Sequence, residues 1–221
     1  MVTFTTEVVA DTAELASRAA AFVAATARES VAARGVFTFA VSGGKTPWAM
    51  FAELAREAVP WAQIEIYQAD ERVAPDADPD RNLVNLMQAL GPAPARVFPM
   101  PVTALDLQAA ASSYSSTLPL TFDLIHLGIG PDGHTASLIP NDPVLDITDA
   151  NVGVTAPYQG HQRMTFTFPV LDRAQHIMWL VAGADKAERL QQVYARDAAI
   201  PAARVQASQQ IVFADRAAAG R

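Results

Sequence analysis

The chain has 221 residues, of which 51% are hydrophobic and 18% are charged, a balance typical of a compact globular protein and not of a disordered one. Its formal net charge of -7 argues against a nucleic-acid partner, which would need a basic surface. There is no cysteine, no apolar run long enough to span a membrane and no leader-like start, so we expect a cytoplasmic monomer or homodimer without a membrane partner.

The predicted elements alternate between strands and helices. A strand at residues 4–9 precedes a long alanine-rich helix at 12–33, which ends near Gly35. A buried strand at 37–41 leads to a helix at 48–58, which Thr46 can cap and whose first position suits Pro47. The later elements are a strand at 64–69, a loop at 74–80, a helix at 82–90, an irregular segment at 92–101, a helix at 106–118, strands at 122–127, 151–155, 164–168 and 176–182, a helix at 184–196, a strand at 210–213 and a frayed tail at 217–221.

This alternation predicts the fold class. Strands that alternate with helices form a mostly parallel sheet with helices on both faces. No internal repeat and no low-complexity linker divides the sequence, so residues 1–221 are expected to form a single α/β domain. Open sheets of this kind bind ligands at the carboxyl ends of their strands, and the segments that follow the strands are therefore the candidate sites.

The segment after the strand at 122–127 contains the strongest candidate for proton transfer. Its glycines at positions 128, 130 and 133 allow sharp turns and close approach to a ligand. Asp132 and His134 stand two positions apart within it. Histidine titrates near neutrality, so His134 is a candidate general base, with Asp132 orienting its ring or accepting a substrate hydroxyl. The alternatives are a histidine that caps a short helix and an aspartate that only shapes the loop.

The same segment also matches the glycine pattern of dinucleotide-binding loops, but its other residues argue against that function. Asp132 would place a carboxylate against the pyrophosphate, and Pro131 removes a backbone donor. Pro140 would end a following helix after about two turns, where the nucleotide-binding fold needs a longer one. We therefore expect no nicotinamide cofactor.

Residues 42–47 have the features of an anion site. Gly43 and Gly44 leave backbone N–H groups free just before a helix N-terminus, and Lys45 adds a positive charge. Only two of the 16 basic residues are lysines, Lys45 and Lys186, and both lie at predicted junctions between a strand and the next helix. For Lys186, an alternative fits equally well: a coding bias toward arginine has left few lysines, and this one lies at the junction by chance. The spacing does not fit a Walker loop.

Four further polar residues stay open between a functional and a structural role. Asp70 and Arg72 follow the strand at 64–69, where they could serve acid–base chemistry and phosphate binding or form a surface turn with a local ion pair. Arg163, taken alone, is expected to be an ordinary solvated arginine. Ser42 has no adjacent histidine and aspartate, which argues against a serine nucleophile.

The remaining histidines do not predict a metal site. His126 alternates within an apolar strand and is expected to be a core residue with satisfied hydrogen bonds. His161 and His176 have no partner at the spacing of metal ligands. We therefore expect no bound metal.

Several motifs together resemble the 6-phosphogluconolactonase family, within the broader group that includes glucosamine-6-phosphate deaminase. They occur in the family's order and span most of the chain: SGGKTP at 42–47, DERVAP at 70–75 with Arg81-Asn82, GIGPDGHTASLIP at 128–140, QRMT at 162–165 with PVL at 169–171, and the lysine-bearing helix start at 183–190. The block DGHTASL favours the lactonases over the deaminases.

The resemblance implies a NagB/RpiA-like, Rossmann-like fold and hydrolysis of 6-phospho-D-glucono-1,5-lactone to 6-phospho-D-gluconate, in the oxidative branch of the pentose phosphate pathway, without a cofactor. It implies catalytic roles for His134 and Asp132, with Asp70 in support. The residues implied in phosphate binding are Ser42, Gly43, Gly44, Lys45, Thr46, Arg72, Arg163 and Lys186. Two other functions stay open, namely a sugar-phosphate deaminase or isomerase and a non-catalytic sugar-phosphate sensor.

Overall fold

The computed structural model describes residues 1–220, in which strands and helices alternate as the sequence predicts. The strands are β1 (Thr3–Val9), β2 (Phe37–Val41), β3 (Ile64–Gln68), β4 (Asp70–Arg72), β5 (Arg96–Phe98), β6 (Leu124–Leu127), β7 (Val152–Val154), β8 (Arg163–Phe166), β9 (His176–Val181) and β10 (Gln209–Asp215). The α-helices are α1 (Thr12–Arg34), α2 (Lys45–Leu54), α3 (Asn82–Leu90), α4 (Leu107–Ser115), α5 (Phe168–Asp172) and α6 (Ala187–Ala195).

Seven strands form one sheet in the order β1-β10-β9-β6-β2-β3-β5, and each neighbouring pair is parallel. From β2 the chain adds β3 and β5 on one side, and from β6 it adds β9 and β10 on the other. The neighbours β2 and β6 therefore mark the point where the strand order reverses, where open α/β sheets leave a crevice for ligands. Both glycine-containing segments directly follow these two strands, and the predicted fold class is confirmed.

Each face of this sheet is covered by an apolar cluster. Along β2, Phe39 and Val41 belong to the cluster shared with α1, α2 and α3, whereas Ala40 belongs to the opposite one. The opposite cluster is shared with α4, α5, α6 and the strands β7 and β8. Because both faces are buried, β2 consists of five buried residues in succession, and four of them are apolar, with Thr38 the exception.

The beginning of α2 differs from the prediction. The helix begins at Lys45 and ends at Leu54, so Thr46 lies inside the first turn and does not cap the helix. Gly44 occupies the cap position with a φ of 137°, a conformation that other residues rarely adopt. This glycine lets the chain enter the helix directly from the loop, and the helix therefore starts three residues before Trp48.

A second sheet, β4-β8-β7, is antiparallel and was absent from the prediction. The sequence of β4 is Asp-Glu-Arg, which has no strand propensity of its own, and these residues are extended because they pair with β8. This register places Arg72 directly opposite Arg163. The predicted strand at 151–155 is present as β7, the outer strand of this sheet.

Three other predictions are corrected. The segment at 92–101 contains β5, which pairs with β3, and residue Phe168 begins α5 where a strand was expected to continue. Ala218 is fully buried and its N–H donates to Asp215 at 2.7 Å, so the described part of the tail is ordered against the domain, while Arg221 lies outside the described residues. Within residues 1–220, no helix is long and apolar enough to cross a membrane.

His126 is buried as predicted, but its hydrogen bonds are not satisfied. Neither ring nitrogen has a well-formed hydrogen bond to any described residue, and the side chain is fully buried. Burial lowers the pKa of His126 to about 3, and a contact with the backbone of Ser42 offsets only part of that shift. His126 is therefore a neutral imidazole beneath the loop that follows β2.

Candidate active site

A cleft with a volume of about 640 Å³ opens at the carboxyl ends of β2, β3, β6 and β9. Residues of the loop after β2 and of the loop after β6 both line it, including Gly43, Gly44 and His134. The volume lies within the range of small-molecule sites. The two glycine-containing segments therefore share one cleft, as a site that combines anion binding with proton transfer requires.

Asp70 joins the two loops that form the cleft. Its side chain is buried, with Oδ1 accepting a hydrogen bond from Ser42 Oγ at 2.7 Å and Oδ2 accepting one from Ser137 Oγ at 2.8 Å. Ser42 begins the loop after β2, and Ser137 belongs to the segment after β6. The carboxylate therefore holds the two loops at a fixed separation, and a direct part in proton transfer stays a prediction.

The N-terminus of α2 opens onto the cleft without a capping side chain. Asp11 caps α1 and Asp106 caps α4, whereas no described side chain caps α2. A Cβ atom at Gly43 would lie 2.0 Å from Oδ1 of Asn82, so this position admits only glycine while Asn82 keeps its place. The uncapped N–H groups and the positive end of the helix dipole are suited to an anion.

His134 and Asp132 form a hydrogen-bonded pair at the cleft. Nδ1 of His134 lies 2.5 Å from Oδ1 of Asp132, and the His134 side chain is 17% exposed. Gly130 allows the imidazole to lie against the backbone, because a Cβ atom there would come within 2.2 Å of two ring atoms. The residues that follow form a turn closed by a bridge between Thr135 and Leu138. The alternative of a helix-capping histidine is therefore wrong, and the segment lacks the helix of a dinucleotide-binding loop.

Tyr158 completes this pair by donating from its hydroxyl to Oδ2 of Asp132 at 2.9 Å. Burial on its own would raise the pKa of Asp132, but His134 and the hydrogen bond from Tyr158 outweigh it and lower the pKa below its ordinary value. Asp132 is thus a carboxylate and can only accept hydrogen bonds. In the neutral tautomer of His134 that donates to this carboxylate, the proton is on Nδ1 and Nε2 carries the lone pair that a general base requires.

Arg72 and Arg163 face each other across the paired strands β4 and β8. Like charges in this position repel. Arg163 is only 4% exposed, and burial lowers its pKa, an effect that Asp70 counteracts and Arg72 reinforces. Neither Nε atom has a hydrogen-bond partner among residues 1–220. Two adjacent guanidinium groups with unused donors indicate a site for an anion with several oxygens.

These positions settle two of the open alternatives. Arg163 is not an ordinary solvated arginine, because it is buried and lines the cleft. Arg72 lies in a strand and forms no ion pair with any described residue, so the alternative of a surface turn with a local ion pair is wrong. Its Nη1 donates instead to the backbone oxygen of Asp80 at 2.6 Å.

The cleft is positively charged although the chain as a whole carries -7. Four cationic side chains line it, opposed by the carboxylates of Asp70 and Asp185. Nζ of Lys186 lies 3.3 Å from Oδ2 of Asp185, and Lys45 is exposed at the first position of α2. The residues predicted to bind phosphate all line the cleft: Ser42, Gly43, Gly44, Lys45, Thr46, Arg72, Arg163 and Lys186. Their individual roles stay predictions.

A buried ion pair supports the cationic side of the cleft. Nε of Arg81 lies 3.1 Å from Oε2 of Glu71, and the two side chains are 4% and 0% exposed. Glu71 also accepts from the backbone N–H groups of Arg72, Asn82 and Leu83. It therefore caps α3 and fixes the positions of both Arg72 and Asn82.

Four residues around the cleft escaped the site prediction: Glu71, Asn82, Ser137 and Tyr158. The first three lie within the matched motifs, which could have identified them. Tyr158 lies in a polar turn with no periodic or motif signal. Among residues 1–220, no three histidine, aspartate or glutamate side chains converge in a way that could hold a metal ion.

Comparison with known proteins identifies the family. Residues 10–213 match the model described as glucosamine-6-phosphate isomerases/6-phosphogluconolactonase. The chain belongs to the glucosamine-6-phosphate isomerase/6-phosphogluconolactonase family. A 6-phosphogluconolactonase from Synechocystis sp. is 38% identical over 199 residues, which cover 83% of this chain and 82% of the relative.

Solved structures of this family share the fold. A 6-phosphogluconolactonase from Shewanella baltica superimposes with a TM-score of 0.84 and 27% identity, covering 97% of this chain and 98% of that one. A monomeric glucosamine-6-phosphate deaminase superimposes with a TM-score of 0.85 at 20% identity, covering 100% of this chain and 99% of that one. The expected NagB-like fold is confirmed, and lactonases and deaminases of the family share it.

Proposed function

We propose that the protein is a cytoplasmic enzyme that hydrolyses 6-phospho-D-glucono-1,5-lactone to 6-phospho-D-gluconate without a cofactor. The observation that carries this proposal is the placement of the His134–Asp132 pair in the same cleft as an uncapped helix N-terminus and two facing arginines. The relative from Synechocystis, at 38% identity, is named for this activity and supports the same substrate.

The phosphate of the substrate binds the cationic part of the cleft. Arg163 and Arg72 offer unused N–H donors, and a dianion between them removes their mutual repulsion. Backbone N–H groups at the start of α2 and the ammonium group of Lys186 complete the phosphate site. Binding at this position directs the lactone ring toward His134.

His134 transfers the protons of the reaction. Its free Nε2 takes a proton from a water molecule, whose oxygen attacks the lactone carbon C1 and forms a tetrahedral intermediate. When the bond between C1 and the ring oxygen breaks, the imidazolium returns the proton to that oxygen, which becomes a hydroxyl. The products are a carboxylic acid at C1 and the regenerated neutral His134. Asp132 holds Nδ1–H throughout and stabilises the transient imidazolium, as the carboxylate of a catalytic triad does.

The proposal is tested by lactone hydrolysis in an assay coupled to 6-phosphogluconate oxidation, with the spontaneous opening rate subtracted. His134→Ala should lower kcat by about 10²–10⁴, the usual contribution of general acid–base catalysis. His176→Ala is the control, since that residue lies at the opposite end of the sheet, at the start of β9. A wild-type kcat for His134→Ala refutes the assignment of the base.

The same preparation tests the two alternative functions. Release of ammonia from glucosamine 6-phosphate would identify a deaminase. Saturable binding of 6-phosphogluconate with no acceleration of lactone opening would identify a sensor.

A further inference from the structure

Tyr158 contacts both functional parts of the cleft. Its hydroxyl donates to Oδ2 of Asp132 at 2.9 Å, and its ring lies edge-on to the imidazole of His134 with centroids 5.6 Å apart. The guanidinium carbon of Arg163 lies 5.0 Å from the centre of the same ring. One side chain therefore touches the base, the carboxylate that orients the base and a candidate phosphate ligand.

The hydroxyl of Tyr158 determines how Asp132 can be oriented. Oδ1 of Asp132 accepts from Nδ1 of His134 and from its backbone N–H, and Oδ2 is held by Tyr158. A carboxylate that is 33% exposed and bound through one oxygen alone could rotate toward water. With both oxygens engaged, the carboxylate plane is fixed, and so is the direction in which His134 presents Nε2.

The ring of Tyr158 determines how Arg163 is held. Hydrogen bonds to the Arg163 guanidinium are long, at 3.5 Å from Nη1 to Ser137 Oγ and 3.5 Å from Nη2 to Gln159 Oε1. The face of an aromatic ring attracts a cation without using any of its donors. Tyr158 therefore positions this guanidinium while leaving its N–H groups available for phosphate.

We propose that Tyr158 is a positioning residue that links the phosphate site to the base, its hydroxyl acting through Asp132 on His134 and its ring acting on Arg163. The proposal rests on the proposed function for its kinetic consequences. It predicts that the two parts of the side chain control different kinetic constants: the hydroxyl controls kcat, and the ring controls KM.

Two substitutions separate these parts. Tyr158→Phe removes the hydroxyl and keeps the ring, so kcat should fall about tenfold, the effect of losing one oriented hydrogen bond, with KM changed less than twofold. Tyr158→Leu removes both, so kcat should fall at least as far and KM should also rise, by about two- to tenfold. A role limited to folding would not produce this division between the two constants.

A matched control is available in Tyr67, whose hydroxyl donates to Oε2 of Glu65 at 3.0 Å away from the cleft. Tyr67→Phe removes a hydrogen bond of the same type and similar length. It should leave kcat and KM at their wild-type values, so that any effect of Tyr158→Phe is attributable to its position beside Asp132.

A second measurement does not depend on activity. The Nδ1 proton of His134 in its short hydrogen bond should give a downfield proton resonance, assigned by its loss in His134→Ala. Tyr158→Phe should shift or broaden this resonance, and Tyr67→Phe should not.

Unchanged kinetic constants and an unchanged resonance in Tyr158→Phe overturn the role of Tyr158 while lactone hydrolysis stands. If the wild-type protein does not hydrolyse the lactone, the proposed function fails, and the resonance still decides whether Tyr158 positions the base.

Discussion

Replacing Gly130 by alanine tests whether the position of the His134 ring governs the rate. The added Cβ atom would lie 2.2 Å from two atoms of the imidazole, so the ring must move by about 1.2 Å to reach an ordinary contact distance. The φ angle of Gly130 is not positive, so alanine at this position avoids the strain of a left-handed backbone conformation. The substitution therefore acts on the ring and not on the fold of the loop.

The size of the effect follows from this displacement. Misplacing a catalytic group by about 1 Å can lower the rate by about 10², which corresponds to about 2.7 kcal/mol in the activation free energy. We expect Gly130→Ala to lower kcat for lactone hydrolysis by that factor. The affinity for 6-phosphogluconate, measured by calorimetry, should change little because the phosphate site lies in other loops.

Gly128→Ala is the matched control in the same loop. No described atom lies within 4 Å of a Cβ atom at that position, so the His134 ring keeps its place and kcat should stay within a few fold of the wild type. Because Gly128 also lines the cleft, any effect of the added methyl on substrate binding should appear in KM. Thermal unfolding of both variants establishes that they are folded. A folded Gly130→Ala variant with wild-type kcat would refute the argument that His134 must lie where this glycine allows it.

Two further substitutions test the cationic side of the cleft. Arg163→Ala should raise KM by about ten- to a hundredfold, because a charged hydrogen-bond donor to the phosphate is lost. The substitution should leave kcat nearly unchanged if the contact contributes the same binding energy in the ground state and in the transition state. A fall in kcat at constant KM in steady-state kinetics would instead place Arg163 at the reacting carbon. Glu71→Gln should lower the free energy of unfolding by about 3–5 kcal/mol, because it leaves the buried charge of Arg81 paired only with the exposed carboxylate of Asp76. Denaturant unfolding that shows no loss of stability would contradict this account of the ion pair.

Six of the seven strands of the main sheet, all but β5, could be predicted because their signals are local. The strands β2 and β6 are mostly apolar and lead into loops that contain glycines, and these residue types alone direct attention to Gly43 and His134. The order of the strands could not be predicted, because periodicity within a segment says nothing about its neighbour. Only the structure brings β2 beside β6 and places the two loops in one cleft.

The features that escaped prediction depend on tertiary contacts. The residues of β4 are charged and become a strand only by pairing with β8, and that pairing sets Arg72 opposite Arg163. Arg163 looks like a surface residue in the sequence because β4, the strand with which it pairs, lies far from it in the chain. Tyr158 lies in a polar turn 24 residues after His134. Its proposed role depends on the hydrogen bond to Asp132, which forms only when the chain folds back along the second sheet.

The attachment of two serine hydroxyls to the single buried carboxylate of Asp70 has a consequence for substrate choice. Because this carboxylate fixes the separation of the two loops, the protein accepts only one distance between the bound phosphate and the reactive carbonyl. A phosphorylated lactone that is shorter by one carbon would still bind through its phosphate. Its carbonyl carbon would then lie about 1.5 Å, the length of one carbon–carbon bond, too far from the imidazole. The length of the substrate would then affect the turnover of the bound molecule and not its binding affinity.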